Sequence, residues 1–312
     1  MLRLHVSLPL HVAFADLTLE TDLLTSPTNA PSLPLRVITP HAGLDAFKIA
    51  ARSLWTGFRQ ATQLAWRFFL RDTRADHRQS LLGYVWLVFP PLANTLVWVF
   101  LNGQNVIEVD SGPVPYPIFV LSGTILWAAF NGSLMGMLGV IGGARGMLAK
   151  VSFPHEALVY SAFIKSLTDA LIASLLLLPA LIVFDVSWQP AMMLFPVALL
   201  SSLLLGGALG LFALPLAALY SDVGRGVQLV LRFGFFLTPI IFQLPAQGMA
   251  RRLMLLNPAT PIIVTGRAWL TGSGEAMPAA FFAISFGSIA LLGIGLLFYK
   301  VALPHLIERL SG

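Results

Sequence analysis

Lys165 and Asp169 stand four residues apart inside a long apolar stretch. That spacing puts both on one face of a helix, close enough to pair. An isolated charge at mid-bilayer costs about 2.5–3.5 kcal/mol on insertion scales, so the two are there for a reason. Two readings stand: an ion pair facing a helix bundle, or a polar lining to a path. Arg232 poses the same choice in another apolar stretch, with Asp222 too far along the helix to serve as partner. Arg251, Arg252 and Arg267 lie in a segment broken by Pro and Gly, where they suit lipid phosphate oxygens or plain interfacial anchoring. His155-Glu156 opens a zinc-protease pattern, but position 159 is Val and the second His is missing. The chain has no Cys, which excludes disulfides and thiolate sites. It also has no G-x-S-x-G, no Asp-x-Asp and no G-x-x-x-x-G-K-[ST].

The elements that carry these residues are set by hydropathy. Of 312 residues, 57% are hydrophobic and only 11% charged, far from a soluble domain. Six apolar stretches follow residue 80, at about 81–101, 118–141, 157–184, 191–220, 227–242 and 278–303. At about 1.5 Å per helical residue, the first covers roughly the thickness of a hydrocarbon core. In lipid each segment must satisfy its own backbone, so these are helices. The fold class is an all-α polytopic membrane protein with six transmembrane helices. The basic residues are spread over loops rather than gathered on a polar domain, which argues against a nucleic-acid partner.

Loop charge sets the orientation. Residues 1–80 carry nine Lys and Arg, the 102–117 loop none, and the 142–156 loop Arg145 and Lys150. The positive-inside rule puts both termini in the cytoplasm. The start of the chain has signal-peptide features in Arg3 and Ala13-Phe14-Ala15, but His5, Ser7 and His11 interrupt the apolar run. We read 1–42 as a mobile leader. Residues 43–80 read as an N-terminal amphipathic interface helix: Phe47, Ala50, Leu54, Phe58, Ala61, Ala65 and Phe68 form an apolar stripe, expected to lie in lipid. Residues 81–303 form the six-span domain, and 304–312 a cytoplasmic tail. Within 245–277, two apolar pieces too short to cross are split by Asn257-Pro258, which fits a re-entrant pair of outer half-helices. Gly132/Gly136, Gly139/Gly143 and Gly206/Gly210 are small residues four apart, suited to close helix packing.

Several segments, in order, resemble one family. Arg71-Asp72, Gln79-Ser80-Leu81-Leu82-Gly83-Tyr84-Val85-Trp86 and Pro90 resemble the approach to the first span in ABC-transporter permeases that export polysaccharides, among them O-antigen, capsule and teichoic acid exporters. Pro115-Tyr116-Pro117 with Gly123 and Trp127 is similar to that family's second span. Leu148-Ala149-Lys150-Val151-Ser152-Phe153-Pro154 is similar to its cytoplasmic loop, and Ser221-Asp222-Val223 to its fourth link. Thr238-Pro239-Ile240-Ile241-Phe242, Leu256-Asn257-Pro258 and Arg267 resemble the end of its fifth span and its outer loop. Val37-Ile38-Thr39-Pro40 with Gly43 is similar to its leader. The resemblance covers about 36–303. The chain departs from the pattern at Asp76-His77, where the family usually has Arg-Tyr. It departs again at His155-Glu156, where Arg follows Phe-Pro, and at Ser221, often Arg.

The resemblance implies a permease subunit in the inner (cytoplasmic) membrane. Its cargo would be a lipid-linked polysaccharide and its assembly a homodimer among membrane lipids. It would have no cofactor of its own, with ATP and Mg held by a separate ABC ATPase subunit. It makes 145–156 the coupling loop, with Arg71, Asp72, Lys150, Phe153, Pro154, His155 and Glu156 as contacts. Arg251, Arg252 and Arg267 become candidates for the cargo's pyrophosphate. Tyr116, Phe119, Trp127 and Phe130 either stack on sugars or belong to the interfacial belt. Two other readings remain: a permease for a drug or other small molecule, and a membrane glycosyl- or acyltransferase. The last lacks an acid/base or nucleophile constellation, so no catalytic residue and no metal site is expected.

Overall fold

The computed structural model describes residues 44–78, 80–109, 111–148 and 153–311. Lys150 and the leader 1–42 lie outside them, as do the side chains of Arg145 and His77. Every described element is helical. In chain order they are α1 (Leu44–Arg78), α2 (Val85–Gly103), α3 (Tyr116–Leu148), α4 (Glu156–Ser174), α5 (Leu177–Val183), a short 3-10 helix (Pro190–Leu194), α6 (Phe195–Leu219), α7 (Ser221–Phe236), α8 (Met249–Leu256), α9 (Ala259–Thr271) and α10 (Pro278–Ser311). Five stretches are long and apolar enough to cross a membrane: Val85–Gly103, Tyr116–Ala144, Glu156–Val183, Pro190–Leu219 and Pro278–Leu306. The chain is a multi-pass, all-helical membrane protein.

Local chemistry explains where the helices depart from the sequence expectations. The first span begins at Val85 rather than 81, because Gly83 turns through φ +49° and its N–H is capped by Ser80 Oγ at 3.0 Å. The third is interrupted at 175–176. Pro179 has no N–H to donate to the Leu175 carbonyl and its ring crowds that position, so the chain tightens there into i→i+3 bonds. The stretch expected at 227–242 is instead α7, ending at Phe236. It has 16 residues, and a turn follows through Thr238 and Pro239. At about 1.5 Å per residue it rises roughly 24 Å, short of a full hydrocarbon core. The expected tail 304–312 is no separate element, since α10 runs through Pro304 to Ser311.

The core is built on α3 and α6. Gly206 and Gly210 let α6 lie directly on α3: a Cβ at either would come within 2.1 Å of the Phe130 carbonyl oxygen or 2.5 Å of that of Leu134. Ser133 Oγ donates to the Leu203 carbonyl across the same contact at 2.8 Å. The paired glycines of α3 do not play this part. Gly132, Gly139 and Gly143 face open space, and of these four only Gly136 meets a neighbour, Ser166. In α1 the side chains of Phe47, Ala50 and Leu54 lie outside the described residues. Of the rest of the stripe, Ala61, Ala65 and Phe68 are buried where the helix packs on α4 and α10, while Phe58 stays exposed, as does Trp66.

Candidate functional site

Three clusters gather the residues with chemical potential. The first closes the end of α7. Arg267 on α9 is buried, and its Nη2 donates to the carbonyls of Pro239 and Ile240, both at 2.9 Å. Its guanidinium lies 3.6 Å from the centroid of the Phe119 ring, a cation–π stack in a dry site. Gly123 makes room for it, since a Cβ there would stand 2.5 Å from Nη2. Tyr116 Oη donates to the Ile241 carbonyl at 3.1 Å. Asn257 Nδ2 donates to Thr238 Oγ1 at 2.7 Å, and Thr238 Oγ1 donates in turn to the Gly234 carbonyl. The chain after Pro239 cannot continue a helix, and these bonds take up the carbonyls it frees. Burial pulls the Arg267 pKa down to about 9, so it remains cationic at neutral pH. Arg251 instead forks onto Glu275, holding that carboxyl below its ordinary pKa, and also donates to the Pro245 carbonyl at 2.9 Å. Arg252 is exposed.

The second cluster joins α1 to α4. Lys165 Nζ lies 3.0 Å from Asp76 Oδ2 and 3.6 Å from Asp169 Oδ2. Its partner across the helix gap is thus on the amphipathic helix, and the pair is a triad. The side chains are 40% (Lys165), 57% (Asp76) and 33% (Asp169) exposed, so this is no dry ion pair. A cavity of about 440 Å³ opens beside them, floored by Gly132, Gly136, Gly139 and Gly143 of α3 and rimmed by Arg71 and Asp72. The open space before the glycines is this cavity. Polar groups within spans face such cavities because water can enter them.

The third cluster surrounds the start of α4. Glu156 is buried and paired with Lys300 of α10. Tyr299 Oη donates to the His155 carbonyl at 3.4 Å. Phe153 meets Phe68 of α1 edge-on at 5.6 Å and His155 at 5.0 Å. Arg71 bonds Asp72 at 2.8 Å, approaches Met147 Sδ at the end of α3, and lies over Phe68. Burial lowers the His155 pKa, opposed by nearby Glu156. The residues flanking 149–152 therefore clamp α1, α3, α4 and α10 together.

Comparison with known proteins adds a relative. No family model matches the chain. Over 205 residues, 64% of this chain and 76% of the other, it is 29% identical to the O-antigen export system permease protein RfbA of Myxococcus xanthus. The chain is thus similar to one permease of an O-antigen export system. Of the segments quoted above, Tyr116, Gly123, 238–241, Asn257 and Arg267 meet in the first cluster, and Arg71 and Phe153 in the third.

Not every residue singled out from the sequence has the surroundings its expected role needs. Tyr116, Phe119, Trp127 and Phe130 are all buried, and Phe119 already carries Arg267 on its face. Trp127 lies along the wall of the groove described next, and Tyr116 and Phe119 belong to the first cluster. Glu156 is turned to Lys300 rather than outward, whereas Phe153, Pro154 and His155 are half-buried. Arg232 is exposed on α7, beside a groove of about 600 Å³ that also carries Asn94, Asn131 and Gln228. No carboxylate pairs with it among the described residues. Asp76, Lys300 and Glu275 were not foreseen as partners. Asp76 signalled itself only as a departure from the family pattern, and a pairing across 24 residues, Arg251 with Glu275, leaves no trace in local spacing. No cluster of three or more metal-ligating side chains occurs among the described residues.

Proposed function

We propose that this chain is the membrane subunit of an ABC exporter that moves a lipid-linked polysaccharide across the inner (cytoplasmic) membrane. Two copies enclose the path, and a separate ATPase subunit binds ATP and Mg. Both termini are cytoplasmic. α7 with the turn after it completes a sixth crossing, and the α8–α9 hairpin is re-entrant on the outer side. The observation that carries the reading is the likeness to the Myxococcus xanthus permease, together with the clamp at the start of α4.

That clamp supplies the mechanics. The ATPase docks on 145–156, with Lys150, Phe153, Pro154 and His155 facing it. A push there passes through the Phe153–Phe68 contact to α1, through the Glu156–Lys300 pair to α10, and directly into α4. α1 shifts on α4 under that push, and the cavity beside Lys165 changes shape as it does. Arg232 and the Asn94–Asn131–Gln228 groove give a polar wall for the glycan.

Removing the chain from its cell is the test. Lipid-linked glycan should still be made but accumulate on the cytoplasmic leaflet, with none at the surface. Unchanged surface glycan in its absence would overturn the assignment.

A further inference from the structure

A groove of about 600 Å³ runs between α2, α3 and α7, and its polar groups sit where lipid cannot serve them. Asn94 stands near the middle of the span Val85–Gly103, and Asn131 near the middle of Tyr116–Ala144. Gln228 and Arg232 join them from one face of α7, four residues apart. Polar and charged side chains at such depth face protein or a water-filled path.

Only part of this set is satisfied by the protein. Asn94 Nδ2 donates to Thr124 Oγ1 at 3.3 Å, and Asn94 Oδ1 accepts from Trp98 Nε1 at 3.2 Å. The side chains of Asn131, Gln228 and Arg232 have no partner among the described residues, and Gln228 and Arg232 are exposed. The groove thus holds one cation and no acid. Of the chain's 14 Asp and Glu, only Asp169 lies deep within one of the five membrane-length stretches, and it serves Lys165. A second copy packed over the groove would bring no spare carboxylate to this depth, and lipid phosphates lie at the two membrane surfaces. The counter-charge has to come from what the groove admits.

A neutral glycan asks only for hydroxyl partners, and amides supply those without a charge. A guanidinium is the costlier group to place at this depth. What it adds is a positive charge and a planar fork that takes a carboxylate bidentately. We infer that this groove recognises a carboxylate on the sugar units of its cargo, so that Arg232 selects an acidic, uronate-type glycan over a neutral one. The inference rests on the export reading and narrows its substrate class. Arg232 takes the carboxylate, and the free amides of Asn131 and Gln228 bond the ring hydroxyls beside it.

The chain has no Cys, so a single one can report on the groove. Ala128 is exposed on its α3 wall, and Ala128→Cys is a small change. The full chain in membrane vesicles open to both sides is labelled at low ionic strength, then isolated for readout. One methanethiosulfonate reagent carries a sulfonate, the other a trimethylammonium group, and each rate is divided by that of a free thiol. The sulfonate should be favoured about fivefold, as expected for one charge several ångströms away in water. Arg232→Gln should abolish the preference, and Arg232→Lys should keep it. Tetragalacturonate should slow the labelling, while its neutral methyl ester should not. No labelling by either reagent would mean that lipid or a second copy covers the groove, and would overturn the inference. A preference that survives Arg232→Gln, or equal protection by acid and ester, would overturn it as well. A permease for a neutral glycan would fail here and still pass the surface-glycan assay, so the two failures are distinct.

Discussion

Arg267 and Lys165 are two cations on helices of the same bundle, held in opposite ways. Arg267 is 6% exposed, has carbonyl oxygens and a ring for partners, and is surrounded by glycine and proline backbone that cannot yield. Lys165 is 40% exposed, has two carboxylates on two different helices, and borders a cavity. The first arrangement fixes geometry, because moving the guanidinium would strip charge-assisted bonds in a low-dielectric site. The second permits movement, because an ammonium shared by two acids beside water can favour one and then the other at little cost. Between them stands Glu156 with Lys300, where one partner is buried and the other is only partly covered. The end of the molecule with the hairpin is built as a fixed frame, and the end near the 149–152 loop as a joint.

The largest effect should come from the frame. Arg267→Met leaves two carbonyls without their charged donor and should lower stability by about 3 kcal/mol or more. Folded yield and thermal unfolding measure it. A variant that folds like the parent would show that the carbonyls find other partners and that the frame is not rigid.

The intermediate pair should give an intermediate cost. Lys300→Met leaves buried Glu156 unpaired, and we expect a loss of about 2 kcal/mol, below the ~3–5 kcal/mol of a fully buried pair. Adding Glu156→Gln should recover most of it. A double-mutant cycle on unfolding decides, and strict additivity would show that the pair carries no coupling.

Lys165→Met should cost less than about 1 kcal/mol, since its partners are a third exposed or more. Export, however, should fall well below the parent's. Normal export by an abundant Lys165→Met chain would reduce the triad to surface charge. The same comparison revises what the spacing of Lys165 and Asp169 suggests. A dry, isolated pair would make each single substitution severe, while a triad open to a cavity does not.

The smallest effect is a pH dependence at the joint. Burial lowers the His155 pKa, so just below its ordinary value of about 6.5 the unfolded chain binds a proton that the folded chain does not. The His155 contribution is therefore full above that pH and lost as pH falls toward the lowered value. Unfolding midpoints between pH 7.5 and 5.5 should decline more for the parent than for His155→Gln. Identical slopes would place His155 in solvent.

The amino-acid sequence determined the class of solvent, the helical nature of every long segment and the order of the motifs. These depend on hydropathy and on backbone satisfaction in lipid, and both are properties of contiguous residues. It also marked Pro239 and Asn257-Pro258 as breaks, because proline acts through its own ring. Only the tertiary structure decided what the marked residues do. Whether Gly206 meets a carbonyl while Gly139 meets empty space depends on which helix lies opposite, and spacing alone is the same for both. Asp76 becomes the partner of Lys165 only because α1 packs against α4. Arg267 became a clasp rather than an exposed cation because α9 is buried against α3 and α6, which places its guanidinium against carbonyls 27 and 28 residues away. A charge shows in a sequence, but its counter-charge and its water are set by how the helices pack.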